Sequence, residues 1–235
     1  MNNMIDKIRY QLKENIDIET KEKGQRFFKE KIDLYGVKTP VVLKISKDRF
    51  KDIETFDKAE IFRLIEILWQ SGMLEESFVA CNWTYSLRKS FQPNDFERFK
   101  NWIDLYITNW ASCDTFCNHS MGVFIQMYPN FLMELKKMTQ SENRWMRRAS
   151  AVSLIIPARK GLFLDAIFEI ADKLLLDQDD LVQKGYGWML KAASESHQQD
   201  VFDFVMKRKA IMPRTSLRYA IEKMPKELRK QAMDK

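Results

Sequence analysis

The chain has 235 residues with only 7 Gly, 6 Pro and 2 His, a shortage that leaves no GxGxxG or Walker phosphate loop, no HExxH zinc site and little scope for a turn-rich β-sandwich. Hydrophobic residues at 45% and aromatics at 12% suffice for one large core or for a solenoid buried repeat by repeat. The net charge of +6 is unevenly placed: residues 1–135 hold 19 Lys and Arg against 20 Asp and Glu, and residues 136–235 hold 20 against 13. Segregated positive charge of this kind points to a polyanion partner such as nucleic acid.

Nearly every segment follows a 3.6-residue period. Helices are expected at 1–15 and 19–35, then at 40–53 after the capping hydroxyl and proline of Thr39-Pro40. A helix at 57–71 presents Phe62, Ile65, Ile67 and Leu68 and stops at Gly72. Further helices are expected at 74–90, 94–110, 113–127, 130–139, 143–156, 161–176, 180–194, 198–208, 214–224 and 226–233, and no strand is expected. Short connections make helix pairs of roughly 35–45 residues, the length of HEAT and armadillo-like repeats. The expectation is an all-α helical-repeat solenoid in one domain over residues 1–235, with a globular helical bundle as the alternative.

A mean hydropathy of −0.42, no apolar run long enough to span a bilayer and a charged start at Met1 to Lys13 suggest a cytoplasmic protein. Cys81, Cys113 and Cys117 are odd in number and lie in helix-like sequence, so no disulfide framework is expected.

Three segments carry candidate chemistry. In Trp110-Ala111-Ser112-Cys113-Asp114, Ser112 can cap the following helix, which puts Asp114 in its first turn, where an acid complements the helix dipole without any catalytic role. Cys113, Cys117 and His119 invite a metal reading, but His119 falls away from the face shared by the cysteines and no fourth ligand is near, so buried thiols fit better. Arg144, Arg147 and Arg148 share one helix face, as a phosphate clamp or simply a solvated basic face. Gly185 and Gly187 sit inside one apparent helix, which tolerates them where another backbone or a ligand must come close. Trp188 follows them, as a core residue or a ligand-facing one. Asp114, Arg148, Trp188 and Arg218 succeed one another at intervals of 34, 40 and 30 residues. In a solenoid, that spacing would set them along one surface.

The Gly36 to Pro40 helix break, the Trp110–Asp114 step, Trp145-Met146-Arg147-Arg148-Ala149, the run Gln183 to Trp188 and Leu217-Arg218-Tyr219-Ala220-Ile221 together resemble the AlkD-type DNA alkylation repair glycosylases. That HEAT-like-repeat family excises alkylated purines, and the resemblance covers nearly the whole chain. It implies a solenoid with a concave DNA-binding groove and a monofunctional glycosylase that acts on 3-methyladenine and 7-methylguanine type lesions. It also implies double-stranded DNA as partner, no cofactor or metal, no membrane, no obligate protein partner and a monomer. By the resemblance, Asp114 is the catalytic carboxylate, Trp110 and Trp188 embrace the lesion, and Arg148 grips DNA beside them. Arg144, Arg147, Lys184, Arg214 and Arg218 are further candidate DNA contacts. Phe27 stands where members of the family can carry tyrosine, so this chain offers no hydroxyl to DNA there. The family acts without drawing the base into a protein pocket, unlike the usual flipping strategy. Cys113 and the segment Phe116-Cys117-Asn118-His119-Ser120 depart from better-known members, as a subfamily with a shifted lesion range would.

The residue chemistry agrees. A purine alkylated at N3 or N7 is already cationic and leaves without a general acid, so no histidine is needed. The charge that develops in the sugar needs a carboxylate. Two alternatives stay open at this level: a non-catalytic relative that binds distorted or branched DNA, and a protein-interaction solenoid with an incidental basic wall.

Overall fold

The computed structural model describes residues 2–234. Among these residues the chain is all-α, and its one β-type pairing is an isolated parallel bridge between Asp33 and Met73. It divides into two compact units, Met1–Phe116 and Cys117–Lys235. The division falls inside an unbroken helical run, where α winding changes to π winding at Cys117–Met121. No Gly-, Pro- or Ser-rich linker marks it, which is why the sequence reads as a single domain.

The first unit contains α1 (Asn2–Glu14), α2 (Ile18–Phe27), α3 (Thr39–Lys51), α4 (Lys58–Gln70), α5 (Leu74–Ser86), a 3₁₀ turn at Arg88–Ser90, α6 (Asp95–Tyr106) and α7 (Trp110–Phe116). Its core is unusually aromatic. Phe116 is fully buried and meets Phe99, Trp69 and Trp102 edge-on at centroid distances of 5.6, 5.8 and 6.1 Å. Pairs of this geometry add about 0.5–1.5 kcal/mol each beyond the area they bury.

The helix expected over 19–35 ends at Phe27 instead. Phe28 turns into extended backbone (φ −95°, ψ 142°), and the chain stays irregular until α3. Gly36 takes φ +93°, and a Cβ there would collide with Lys21. The segment therefore needs glycine both for its backbone conformation and for its clearance. At the other end of α2, Asp17 caps the helix by accepting the Thr20 N–H at 2.7 Å. That bond, with the nearby Lys38 ammonium, lowers the Asp17 pKa to about 2.

The second unit contains the π segment, α8 (Gly122–Met127), a 3₁₀ turn at Pro129–Phe131, α9 (Leu132–Met138), α10 (Arg144–Val152), α11 (Ile155–Arg159), α12 (Leu164–Lys173), α13 (Asp180–Ala193), α14 (Gln198–Arg208), α15 (Arg214–Ile221) and α16 (Lys226–Met233). The helix expected over 143–156 splits near Ser153. Pro157 has no N–H to offer the Ser153 carbonyl, so it is tolerated only in the first turn of a new helix, α11. The helix expected from 161 begins at Leu164, because Gly161 and Phe163 are left-handed at φ +73° and +64°. The buried helix α13 packs against α10, α11, α12 and α15. Its Tyr186 hydroxyl donates to Leu175 O at 3.0 Å and bonds Ser216 Oγ at 2.6 Å.

The helical repeat is visible in the bonds that leave their own helix. Trp83 Nε1 donates to Ser46 O across 37 residues, and Ser77 bonds Ser112 across 35. Lys160 donates to Gln126 across 34, Arg208 to Asp172 across 36, and Tyr186 to Ser216 across 30. Each joins helices one repeat apart, at close to the spacing expected from the sequence.

Candidate active site

In the first unit the site is built on α7. This helix begins at Trp110, three residues before the expected start. Asn109, not Ser112, caps it: Asn109 Oδ1 accepts the Ser112 N–H at 2.9 Å. Ser112 is buried and bonds Ser77 Oγ at 2.7 Å. Asp114 therefore lies beyond the first turn, which contains no acid, and the helix-dipole explanation for an acid at this position loses its basis. Ser112, Cys113 and Phe116 face inward, at 1% exposure or less. Trp110 and Asp114 stand four residues apart, one turn above the other on the same face, and both are half-buried.

Trp110 does not stand alone. Phe28 stacks on it at 5.4 Å with an interplanar angle of 28°, and Phe27 meets it edge-on at 5.5 Å. Phe27 is 69% exposed, whereas Phe28 is buried with Ile32 and Leu34 against Leu74, Trp110 and Ala111. Phe27 and Trp110 thus form an aromatic shelf within one unit. Phe28 is a member that sequence reasoning missed, although its place beside Phe27 was a signal. Cys81, Cys113 and Cys117 are buried and form no disulfide among the described residues. Burial, with Cys113 nearby, pushes the Cys81 thiol well above its ordinary pKa. Among the described residues no three His, Cys, Asp or Glu side chains converge as a metal site.

In the second unit the basic triplet of α10 does not form a solvated face. Arg147 donates to Asp177 at 2.6 and 3.3 Å and to the carbonyls of Ser141 and Glu142 at 2.9 Å. Arg144 Nη2 donates to Asp179 at 3.0 Å. Asp179 also caps α13 by accepting the Leu181 N–H at 2.9 Å. Arg148 is only 5% exposed and donates through Nη1 to Leu181 O. These side chains, expected as a phosphate clamp, are engaged with acids and a carbonyl of their own fold.

The two helical glycines now have distinct causes. A Cβ on Gly185 would sit 3.3 Å from Arg148 Cγ, and one on Gly187 would sit 2.7 Å from Tyr219 Cβ and 2.9 Å from Ser216 O. Gly185 makes room for the buried arginine, and Gly187 lets α15 approach α13. Trp188 follows, half-exposed on α13. Lys184 pairs with Asp180 at 3.0 Å.

Arg214 and Arg218 are exposed on α15. Arg218 opens onto a cleft of about 430 Å³ with Ile221, Glu222, Lys226, Arg229, Lys230 and Met233. Among the described residues Arg218, Lys226, Arg229 and Lys230 make no ion pair, while Glu222 is taken by Lys191 at 2.9 Å. Lys226, Arg229 and Lys230 were not singled out in the sequence, where they merge into a general basic tail. No described helix is long and apolar enough to cross a membrane.

The family model for DNA alkylation repair enzymes matches residues 8–224. A search of curated proteins finds no match. Among solved structures, a predicted DNA alkylation repair enzyme from Enterococcus faecalis is similar, with a TM-score of 0.81 at 20% identity, over 90% of this chain and 98% of that one. At that identity the likeness establishes the all-α helical-repeat fold, and the family match over residues 8–224 carries the assignment further. With a role in the repair of alkylated DNA, the chain belongs to the DNA alkylation repair enzyme family.

Proposed function

We propose that the protein is a monofunctional DNA glycosylase that hydrolyses the N-glycosidic bond of purines alkylated at N3 or N7 in duplex DNA and leaves an abasic site. The observation that carries this reading is the pairing on α7 of a half-buried carboxylate, Asp114, with an indole one turn earlier, Trp110, itself braced by Phe28. The acid lies past the first turn of α7, where a carboxylate can stabilise positive charge that develops at a bound sugar.

The reaction needs little else. Water attacks C1′ while the glycosidic electron pair passes to the purine and cancels its positive charge. Asp114 stabilises the positive charge that spreads into the sugar, orients the water and takes up its proton. The face of Trp110 attracts the same cation, by about 0.5–2 kcal/mol, and Trp188 is a further candidate contact to DNA. No metal or organic cofactor takes part. The exposed Arg214 and Arg218 contact phosphates without reading sequence. Arg144, Arg147 and Arg148 act chiefly by holding α10 to the start of α13, which carries Trp188. The protein works as a cytoplasmic monomer on double-stranded DNA.

A second reading, a non-catalytic DNA binder, is favoured by Phe27, which has no hydroxyl to offer. Incubation with methylated duplex DNA separates the two. A glycosylase releases free 3-methyladenine and 7-methylguanine and leaves alkali-labile sites in matching number. A binder retards the duplex in a salt-dependent way and releases no base.

A further inference from the structure

Two of the most deeply buried charges in the first unit lie outside the residues discussed so far. Glu75 and Glu76, in the first turn of α5, are 2% and 1% exposed. Buried carboxylates must be paired or fully hydrogen-bonded, and these two find their partners in specific places. Glu75 accepts three successive main-chain N–H groups: Tyr35 at 2.9 Å, Gly36 at 2.8 Å and Val37 at 3.0 Å. Glu76 accepts the Arg9 guanidinium at 3.0–3.2 Å and the Tyr35 hydroxyl at 2.7 Å. Burial and the adjacent Glu76 push the Tyr35 pKa well up, so its hydroxyl remains a donor. The Leu74 N–H adds a bond to Asp33 O at 2.9 Å. The irregular segment after α2 is thereby lashed to α5.

That same segment begins with Phe28, the ring stacked on Trp110. The other half of the stack is held by α5 as well. Ser77 Oγ bonds Ser112 Oγ at 2.7 Å, and Cys81 Sγ approaches Ser112 O at 3.9 Å. One helix therefore grips both partners of the aromatic shelf, the loop through its first turn and α7 through the next two.

We infer that Glu75 and Glu76 are positioning residues: through the 28–38 segment they fix Phe28 against Trp110 and so set the indole beside Asp114. The kinetic consequence rests on the proposed excision activity, whereas the structural consequence does not. Both are testable on the full chain. Glu75→Gln replaces an acceptor by an amide that must point a donor at donors. In protein labelled with 5-fluorotryptophan, the Trp110 fluorine resonance is assigned by its loss in Trp110→Phe. Glu75→Gln is expected to shift or broaden that resonance while those of the fully buried Trp83 and Trp102 stay in place. An unmoved Trp110 signal, or equal movement of every tryptophan signal, would overturn the inference.

In single-turnover release of 7-methylguanine, Glu75→Gln is expected to lose about tenfold in rate with binding of unmethylated duplex within about twofold. It should lose nothing further in a Trp110→Ala background, and an additional tenfold loss there would contradict a route through the indole. If the wild-type protein releases no base, the excision reading falls and the fluorine spectra still decide the positioning. If Glu75→Gln does not fold, Tyr35→Phe removes one hydroxyl from Glu76. It is then expected to shift the Trp110 resonance with a loss of about threefold in rate, and an unshifted signal would overturn the inference.

Discussion

Two basic stretches of the second unit look alike in sequence and behave oppositely in the fold. On α10, Arg144 and Arg147 are matched by Asp179 and Asp177, which lie one repeat further along the chain, and Arg148 is buried on Leu181 O. On α15 and α16, Arg218, Lys226, Arg229 and Lys230 surround an open cleft, and among the described residues none of the four makes an ion pair. Local charge density is the same kind of signal in both. What differs is whether the next helix pair supplies carboxylates at the right height. The positive excess of the last hundred residues is thus divided between charges that cement the repeat and charges left for solvent or a polyanion.

Substitutions in each stretch tell the two roles apart. The largest effect is expected at the α13–α15 contact that both regions depend on. Gly187→Ala forces a Cβ into Ser216 O and Tyr219 and should lower stability by about 3 kcal/mol, measured by denaturant unfolding. Next, Arg147→Ala strips the charged partner from Asp177, whose side chain is only 8% exposed and keeps the Asp179 N–H. It should cost about 2 kcal/mol and leave the salt dependence of DNA binding unaltered. A flatter salt slope in that variant would mean that Arg147 reaches phosphate after all.

The combined Lys226→Ala, Arg229→Ala and Lys230→Ala variant should do the reverse. Its stability should stay within about 0.5 kcal/mol of wild type, while the slope of log affinity against log salt falls by about 0.9 for each phosphate no longer neutralised. An unchanged slope would make the cleft a bystander.

The smallest effect belongs to a charge that is paired at the surface. Asp17 has its pKa lowered from 3.8 to about 2 by the Thr20 N–H and by Lys38. A carboxylate depressed on folding contributes stability above its unfolded pKa and loses it as pH falls through the folded one. The difference in stability between wild type and Asp17→Asn should be constant above about pH 4 and shrink toward pH 2. Acid titration of both proteins measures it, and a gap that widens on acidification would contradict the assignment.

Periodicity, the all-helical class and repeat length were legible because each depends on residues a few positions apart, whereas the breaks inside the expected helices over 113–127 and 143–156 were not. So was the meaning of Gly185 and Gly187, since glycine inside an amphipathic pattern implies close approach, and Arg148 and α15 supply it. The Trp110–Asp114 step was named through the family resemblance, because the expected helices, 94–110 and 113–127, separated the two residues that α7 joins. The end of α2 was not. Phe28 and Ile32 keep helical spacing, and the irregular segment they enter is held by Glu75, about 40 residues beyond Tyr35 and Gly36. The start of α7 was misplaced because Asn109 and Ser112 are both capable caps, and Ser112 is instead engaged by Ser77. The fate of the α10 arginines was likewise decided by acids 30 and 35 residues on. Local order reads from the sequence, while pairings across one repeat emerge only with the fold.

On the proposed mechanism Asp114 does chemistry and does not merely hold α7. The direct measurement is release of free 3-methyladenine and 7-methylguanine from methylated duplex DNA by wild type and Asp114→Asn, alongside their affinity for the same duplex. Wild type is expected to release both bases, with a loss of about a hundredfold or more in the variant and affinities within about threefold of each other. No release by folded wild type above a heat-killed control, or equal loss of binding and excision in Asp114→Asn, would contradict it.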